Sequence, residues 1–395
     1  MAHSRQRLIV ENIIKRLKLW PAIGLVGARQ TGKSTILRDV IAPHIHARYE
    51  TFDSPTTLQR ATTSPEAFTI IGAKDRPLII DEVQKCPAIF DTVKLHIDRE
   101  RVPGRFILSG SSEFSTKAGI YESLTGRAAV TQLFPLTPTE LWKISLNTYF
   151  LHEKFSDAKI SLINFDKTVD RGGMPGLCFL RSDAEFDDAC LQWLETTCYR
   201  DLQRIAAKKN VDGALAFEIL GEVARQAVPT AAAISKYLRR DSRVVTRYLD
   251  MFQTIFVVAS LKPHPAGLGA TEYVLLDSGI VNFFGGSRTN RLRAHVLNSA
   301  RAYAGAAGMA MPALMYYRNA KTARIPIVLK WALTKSSPKS IAVEFEETER
   351  LTIRDFSSLI SFRKKIEQPE RMRCIFLSNT AKSYNDAVEV HPLRG

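Results

Sequence analysis

Two short stretches hold residues whose types and spacing suit phosphate chemistry. Gly27-Ala28-Arg29-Gln30-Thr31-Gly32-Lys33-Ser34-Thr35 has the spacing G-x-x-x-x-G-K-S of a phosphate-binding P-loop. The glycines let successive backbone N–H groups turn inward around phosphate oxygens, and Lys33 reaches the β- and γ-phosphates. Ser34 offers a hydroxyl to Mg²⁺, and the helix that starts near Lys33 points its positive end at the anion. Some forty residues on, Pro77-Leu78-Ile79-Ile80-Asp81-Glu82 ends an apolar run with two carboxylates. Asp81 is placed to hold Mg²⁺, directly or through water. Glu82 is placed to orient and deprotonate a water for attack on the γ-phosphate.

These groups need a scaffold that brings them together. Ala22-Ile23-Gly24-Leu25-Val26 before the P-loop reads as a buried strand, and Ser34 to Ile41 after it as a helix closed by Pro43. Ala47 to Phe52 alternates like a strand, Ser64-Pro65-Glu66 caps a helix, and Ile89 to Arg99 has helical spacing. Arg105-Phe106-Ile107-Leu108 is a third apolar strand that runs into Ser109-Gly110-Ser111-Ser112. Beside Asp81 in a sheet, Ser109 or Ser111 would lie within reach of the γ-phosphate. Strands alternating with helices predict an α/β domain: a largely parallel sheet with helices on both faces.

Those motifs, with Pro103-Gly104-Arg105-Phe106-Ile107-Leu108-Ser109-Gly110-Ser111, Ser123-Leu124-Thr125-Gly126-Arg127 and Phe134-Pro135-Leu136-Thr137-Pro138-Thr139-Glu140-Leu141, occur in the order of one family. The chain resembles the prokaryotic AAA-type ATPases whose C-terminal half is a domain of unknown function. Gly172-Gly173-Met174-Pro175, Tyr199-Arg200-Asp201-Leu202 and Leu276-Asp277-Ser278-Gly279 extend the resemblance. It implies an AAA-like sheet, ATP and Mg²⁺ as cofactors, Asp81 and Glu82 as the Walker B pair, and Ser109 or Ser111 as the sensor. For Arg127 it favours an arginine facing nucleotide or a neighbouring subunit. Nothing local forces Arg127 toward phosphate, and a plain surface arginine stays open.

Beyond the ATPase domain (1–145) and a helical connector (146–212), residues 213–290 read as a winged helix. Leu215 to Gln226, Thr230 to Leu238 and Arg243 to Gln253 are helical, the last two joined by the turn Arg239-Arg240-Asp241-Ser242. Thr254 to Leu261 and Glu272 to Leu276 form a two-stranded wing. Lys236, Arg239, Arg240, Arg243 and Arg247 are candidate contacts to duplex DNA. The competing reading is an interdomain lid with the same arginines solvated. Residues 291–395 follow the order αβββαβ, the outline of a small restriction-endonuclease-like α/β domain. That fold needs an Asp on its middle strand and Glu-x-Lys on the next. Here the Asp position falls at Pro326, the Lys position holds Glu346 after Glu344, and the first helix offers Arg291, Arg293 and His295. The module reads as a degenerate nuclease without activity.

The chain has 395 residues, 45% of them apolar and 24% charged, which excludes wholesale disorder and a disulfide scaffold. Lys plus Arg exceed Asp plus Glu by 55 to 40, a formal charge of +15 that favours polyanionic partners. Five scattered cysteines without a C-x-x-C pair read as reduced thiols. The opening Met1-Ala2-His3-Ser4-Arg5 lacks a signal-peptide core, and the charge-free stretch Ala302 to Tyr317 is too short to span a bilayer. The expectation is therefore a cytoplasmic ATPase that hydrolyses ATP with Mg²⁺, engages DNA through the winged helix, and meets no membrane. A homo-oligomer or a protein partner is left open. The alternative is a nucleotide-gated signalling switch with slow turnover that acts through protein partners.

Overall fold

The computed structural model describes residues 5–72, 76–110, 124–142, 162–206, 210–320, 323–331, 340–348, 350–366, 372–378 and 388–392. Ser111, one of the two sensor candidates, lies outside them. In the N-terminal part, strands β1 (Ala22–Val26), β2 (Arg48–Thr51), β3 (Leu78–Asp81), β4 (Phe106–Ser109) and β5 (Ala128–Gln132) form one parallel sheet in the order β2-β3-β4-β1-β5. Alternation at period two, with both faces apolar, makes the sheet central. Ile23, Leu25, Ile79 and Ile107 pack beneath the helix Ile9–Leu17 and the helical segment after the P-loop. Ala22, Leu78, Ile80, Phe106 and Leu108 pack beneath the helix Ala88–Arg99 on the opposite face. This is the expected α/β layer arrangement.

The C-terminal part is built on a second sheet. Strands β6 (Val258–Pro263), β7 (Glu272–Leu275), β8 (Ala313–Arg318), β9 (Arg324–Lys330), β10 (Ser340–Phe345), β11 (Met372–Ser378) and β12 (Glu389–Pro392) lie in the order β12-β11-β10-β9-β8-β6-β7. Helices Gly213–Arg225, Ala231–Leu238 and Ser242–Thr254 precede the antiparallel pair β6 and β7. Helix Arg288–Ala306, strands β8 to β10, helix Ser357–Arg363 and β11 supply the order αβββαβ. A short parallel pairing, Lys262 with Met315 and Pro263 with Tyr316, runs the sheet across residue 290. One apolar core contains Phe186 and Leu194 from the helix Asp183–Glu195, together with Ile219, Tyr248, Leu275, Leu297 and Ile327.

Two of the motif islands prove to be one structural clasp. The buried Asp277 carboxylate accepts backbone N–H groups from Gly173 (2.9 Å), Gly279 (2.9 Å) and Ile280 (3.2 Å). Gly173 in turn meets the N-terminal part: its carbonyl accepts the Leu136 N–H at 2.7 Å, and a Cβ there would come within 2.1 Å of the Leu136 oxygen. Gly173 is thus fixed by close approach from both sides. The long helix Arg288–Ala306 adds further ties to the N-terminal part, through Asn12 to the Gly305 carbonyl at 2.6 Å and Tyr303 to the Thr139 hydroxyl.

The five cysteines are free and buried. Among the described residues no helix is long and apolar enough to cross a membrane. Asp277→Ala would strand three buried main-chain donors, at about 1–3 kcal/mol each. Urea unfolding should therefore show a loss of about 3 kcal/mol or more, and a loss below about 1 kcal/mol would contradict the clasp.

Candidate nucleotide site

Each phosphate-handling group sits at the carboxyl end of a strand, on the side where ligands bind open parallel sheets. The P-loop leaves β1 at Val26. Gly27 has φ 153°, and a Cβ on it would meet the Leu133 carbonyl oxygen at 2.4 Å, so only glycine fits there. Gly32 precedes the helix Lys33–Ile36, which passes through a π-helical turn at Leu37–Ile41 and ends at His44. The loop is braced from outside: Arg7 donates to the Thr31 carbonyl at 2.8 Å and to the Phe134 carbonyl at 2.6 Å, and pairs with buried Glu140 at 3.1 Å.

Lys33 is buried, and its ammonium donates to the Gly27 and Ala28 carbonyl oxygens, each at 2.9 Å. Burial pulls its pKa down to about 8, against the opposing pull of Glu82 and Asp81. A cation so poorly solvated, close to main-chain amides, is prepared for an anion.

β4 stands between β1 and β3, so the tips of β1 and β3 are two strand spacings apart, about 10 Å. Leu25 pairs with Ser109 and Ile80 with Leu108, which sets Ser109 between the P-loop and Asp81. Asp81 is buried and accepts the Tyr49 hydroxyl at 2.9 Å and the Glu82 N–H at 3.1 Å. The neighbouring carboxylate and burial hold the Tyr49 hydroxyl protonated well above its ordinary range. Glu82 takes a left-handed backbone (φ 54°), which turns its carboxylate away from the strand line, and Gln84 donates to it. The Ser109 hydroxyl is fully buried and has no hydrogen-bond partner among the described residues. The Asp81 carboxylate and the half-buried Ser34 hydroxyl are oxygen donors of the kind that suits Mg²⁺.

Sequence and structure part at Arg127. It lies at the amino end of β5, where its carbonyl accepts the Ala22 N–H, and its guanidinium forks onto Asp98 at 2.6 and 2.9 Å. That end of the sheet is about 15 Å from the P-loop end, at 3.3 Å per strand residue. Arg127 therefore does not reach the phosphate site of its own chain, which corrects the catalytic expectation for it in cis. Tyr49, which carries no motif, escaped the sequence reading, and so did the pairing of the P-loop residue Arg29 with Asp201, 172 residues away, at 2.7 and 2.8 Å. Arg200, its neighbour in the Tyr199-Arg200-Asp201 island, is exposed. Only the presence of a charged residue at the third P-loop position hinted at such a partner.

In the C-terminal part, Pro326 and Arg324 lie on β9 and Glu344 on β10. Burial pushes the Glu344 carboxyl up to about 8, so it is largely protonated near neutral pH. Arg293 pairs at 2.7 Å with fully buried Glu272, and Arg291 pairs with Asp170, also at 2.7 Å. Among the described residues no group of three or more metal-ligating side chains forms.

Residues 20–142 match the AAA domain family. Two uncharacterised mycobacterial proteins, from Mycobacterium bovis and Mycobacterium tuberculosis, are each 26% identical to this chain over 270 residues. The match covers 66% of this chain and 55% of each of theirs, so the chain spans about half the length of the curated relatives it matches. Among solved structures, a Walker-type ATPase of Pyrococcus abyssi aligns over 70% of this chain and 94% of its own, with 14% identity and a TM-score of 0.41. The P-loop and the Asp81–Glu82 pair both lie within the residues 20–142 that are similar to the AAA domain family.

The buried lysine makes nucleotide binding pH-dependent. The Lys33 pKa is depressed to about 8 in the free protein, and triphosphate stabilises the ammonium and raises it. Below pH 8 binding needs no proton; above it, binding takes one up, and affinity falls as pH rises. Calorimetry at pH 9 in two buffers of different ionisation enthalpy should show uptake approaching one proton. Zero uptake from pH 7 to 9.5 would contradict the assignment.

Proposed function

We propose that the chain is a Mg²⁺-dependent ATPase whose nucleotide cycle changes how its C-terminal half engages a partner, with duplex DNA as the favoured partner. One observation carries the catalytic part: a buried P-loop ammonium, an unpartnered serine hydroxyl and a carboxylate pair lie on the neighbouring strand tips β1, β4 and β3. The P-loop amides of Gly27 to Thr35 and the Lys33 ammonium bind the phosphates. Ser34 and Asp81 would hold Mg²⁺, which when bound neutralises charge between the β- and γ-phosphates. Tyr49 keeps Asp81 in place. Glu82, turned out of the strand by its left-handed backbone and steadied by Gln84, accepts the proton of the attacking water. Ser109 reads the γ-phosphate.

The DNA reading rests on a surface. Lys236, Arg239, Arg240, Arg243 and Arg247 are all exposed around the turn between the second and third helices of the winged-helix unit. Arg243 is held by Asp241 at 2.9 Å, and the Arg247 guanidinium lies over the Tyr248 ring at 5.4 Å. In the last module, a carboxyl at Glu344 that is largely neutral and a proline at 326 support a role without strand cleavage.

Glu82→Gln should lower ATP turnover at least 100-fold while ATP still binds; turnover equal to that of the unmutated protein would sink the assignment. Replacing Arg243 and Arg247 together should reduce the salt slope of duplex affinity by about 2. No duplex affinity at low salt, with turnover blind to DNA, would favour the switch acting through protein partners.

A further inference from the structure

A cavity of about 350 Å³ adjoins the first half of the P-loop. Gly27 and Arg29 form one wall, Gln84 and Lys85 of the turn after β3 another, and Trp193 and Thr197 a third. Trp193 is 5% exposed and Thr197 1%, so this wall is packed into the interior. Arg29 gives its Nε and Nη2 to Asp201, which also lines the cavity. Glu82 is close enough to act on Arg29 electrostatically, which places this guanidinium at the end of the site where water attacks. With Lys85 and Arg204 also on its walls, the cavity is a place for an anion.

We propose that Arg29 and Asp201 set the preference for triphosphate over diphosphate: the terminal phosphoryl group enters this cavity and draws the Arg29 guanidinium away from Asp201. The inference rests on the P-loop reading and adds a discriminating pair to it. A guanidinium fork fits a carboxylate or a phosphoryl group equally well, and the more highly charged oxyanion wins it. A diphosphate ends at the loop amides and leaves Arg29 with Asp201. The released carboxylate belongs to the Thr196–Asp201 π-helical turn, which runs directly into the helix Leu202–Ile205. Cys198 and Leu202 of this segment share a core with Ile219 and Tyr248 of the basic three-helix unit. Nucleotide state is thereby passed to the C-terminal half.

The test is calorimetric affinity for ADP and for a non-hydrolysable ATP analogue. Asp201→Asn keeps the shape but gives up the charge, and should raise the triphosphate-to-diphosphate affinity ratio about tenfold. Asp201→Ser, which removes the carboxylate differently, should move the ratio the same way. In an Arg29→Lys background, which lacks the fork, Asp201→Asn should leave the ratio within about twofold. Retained binding of both nucleotides with a ratio unmoved by either Asp201 substitution would overturn this inference alone. If the unmutated protein binds neither nucleotide, the P-loop reading falls and this inference falls with it.

Discussion

The nucleotide site depends on one desolvated cation. Lys33 is held inside the protein with its ammonium on two carbonyl oxygens, and burial brings its pKa down to about 8. An ammonium in that position is poorly compensated until an anion arrives. Much of the surrounding structure keeps water out and the loop in shape. Gly27 passes the Leu133 carbonyl where no side chain fits, Arg7 braces Thr31 from outside, and Glu140 holds Arg7.

The same economy appears at the strand tips. Asp81 is oriented by the Tyr49 hydroxyl and the Glu82 amide. Ser109, left without a partner, marks the gap between Asp81 and the P-loop. Farther out, Asp277 ties Gly173 to the turn at Gly279, and Gly173 ties that turn to Leu136 at the end of the ATPase part. The clasp and the Arg29–Asp201 pair are two of the polar links by which the two halves feel each other.

The parts of this arrangement legible in the sequence are those written in consecutive residues. The P-loop spacing, the apolar strands with their period-two alternation and the carboxylate pair after Ile80 need no knowledge of distant partners. Ser109 was legible because it ends a strand that had to lie beside β3. Arg29 with Asp201, Tyr49 with Asp81 and Gly173 with Asp277 were not, because a pair joined only by the fold leaves no periodic trace. The islands at Gly172 and Leu276 stood out in the chain, yet their meaning lay in meeting one another. For Arg127 only the family resemblance favoured a nucleotide-facing place, and the strand after it starts at the far end of the sheet. The continuity of β6 with β8 likewise depends on two paired residues that no local pattern announces.

The most direct measurement compares binding of a non-hydrolysable ATP analogue with and without Mg²⁺, in the unmutated protein and in Asp81→Asn. If loop and strand tip share one metal, Mg²⁺ tightens binding in the first and has little effect in the second. Equal tightening in both would mean that the metal rides on the nucleotide alone, and the site as built here would not stand.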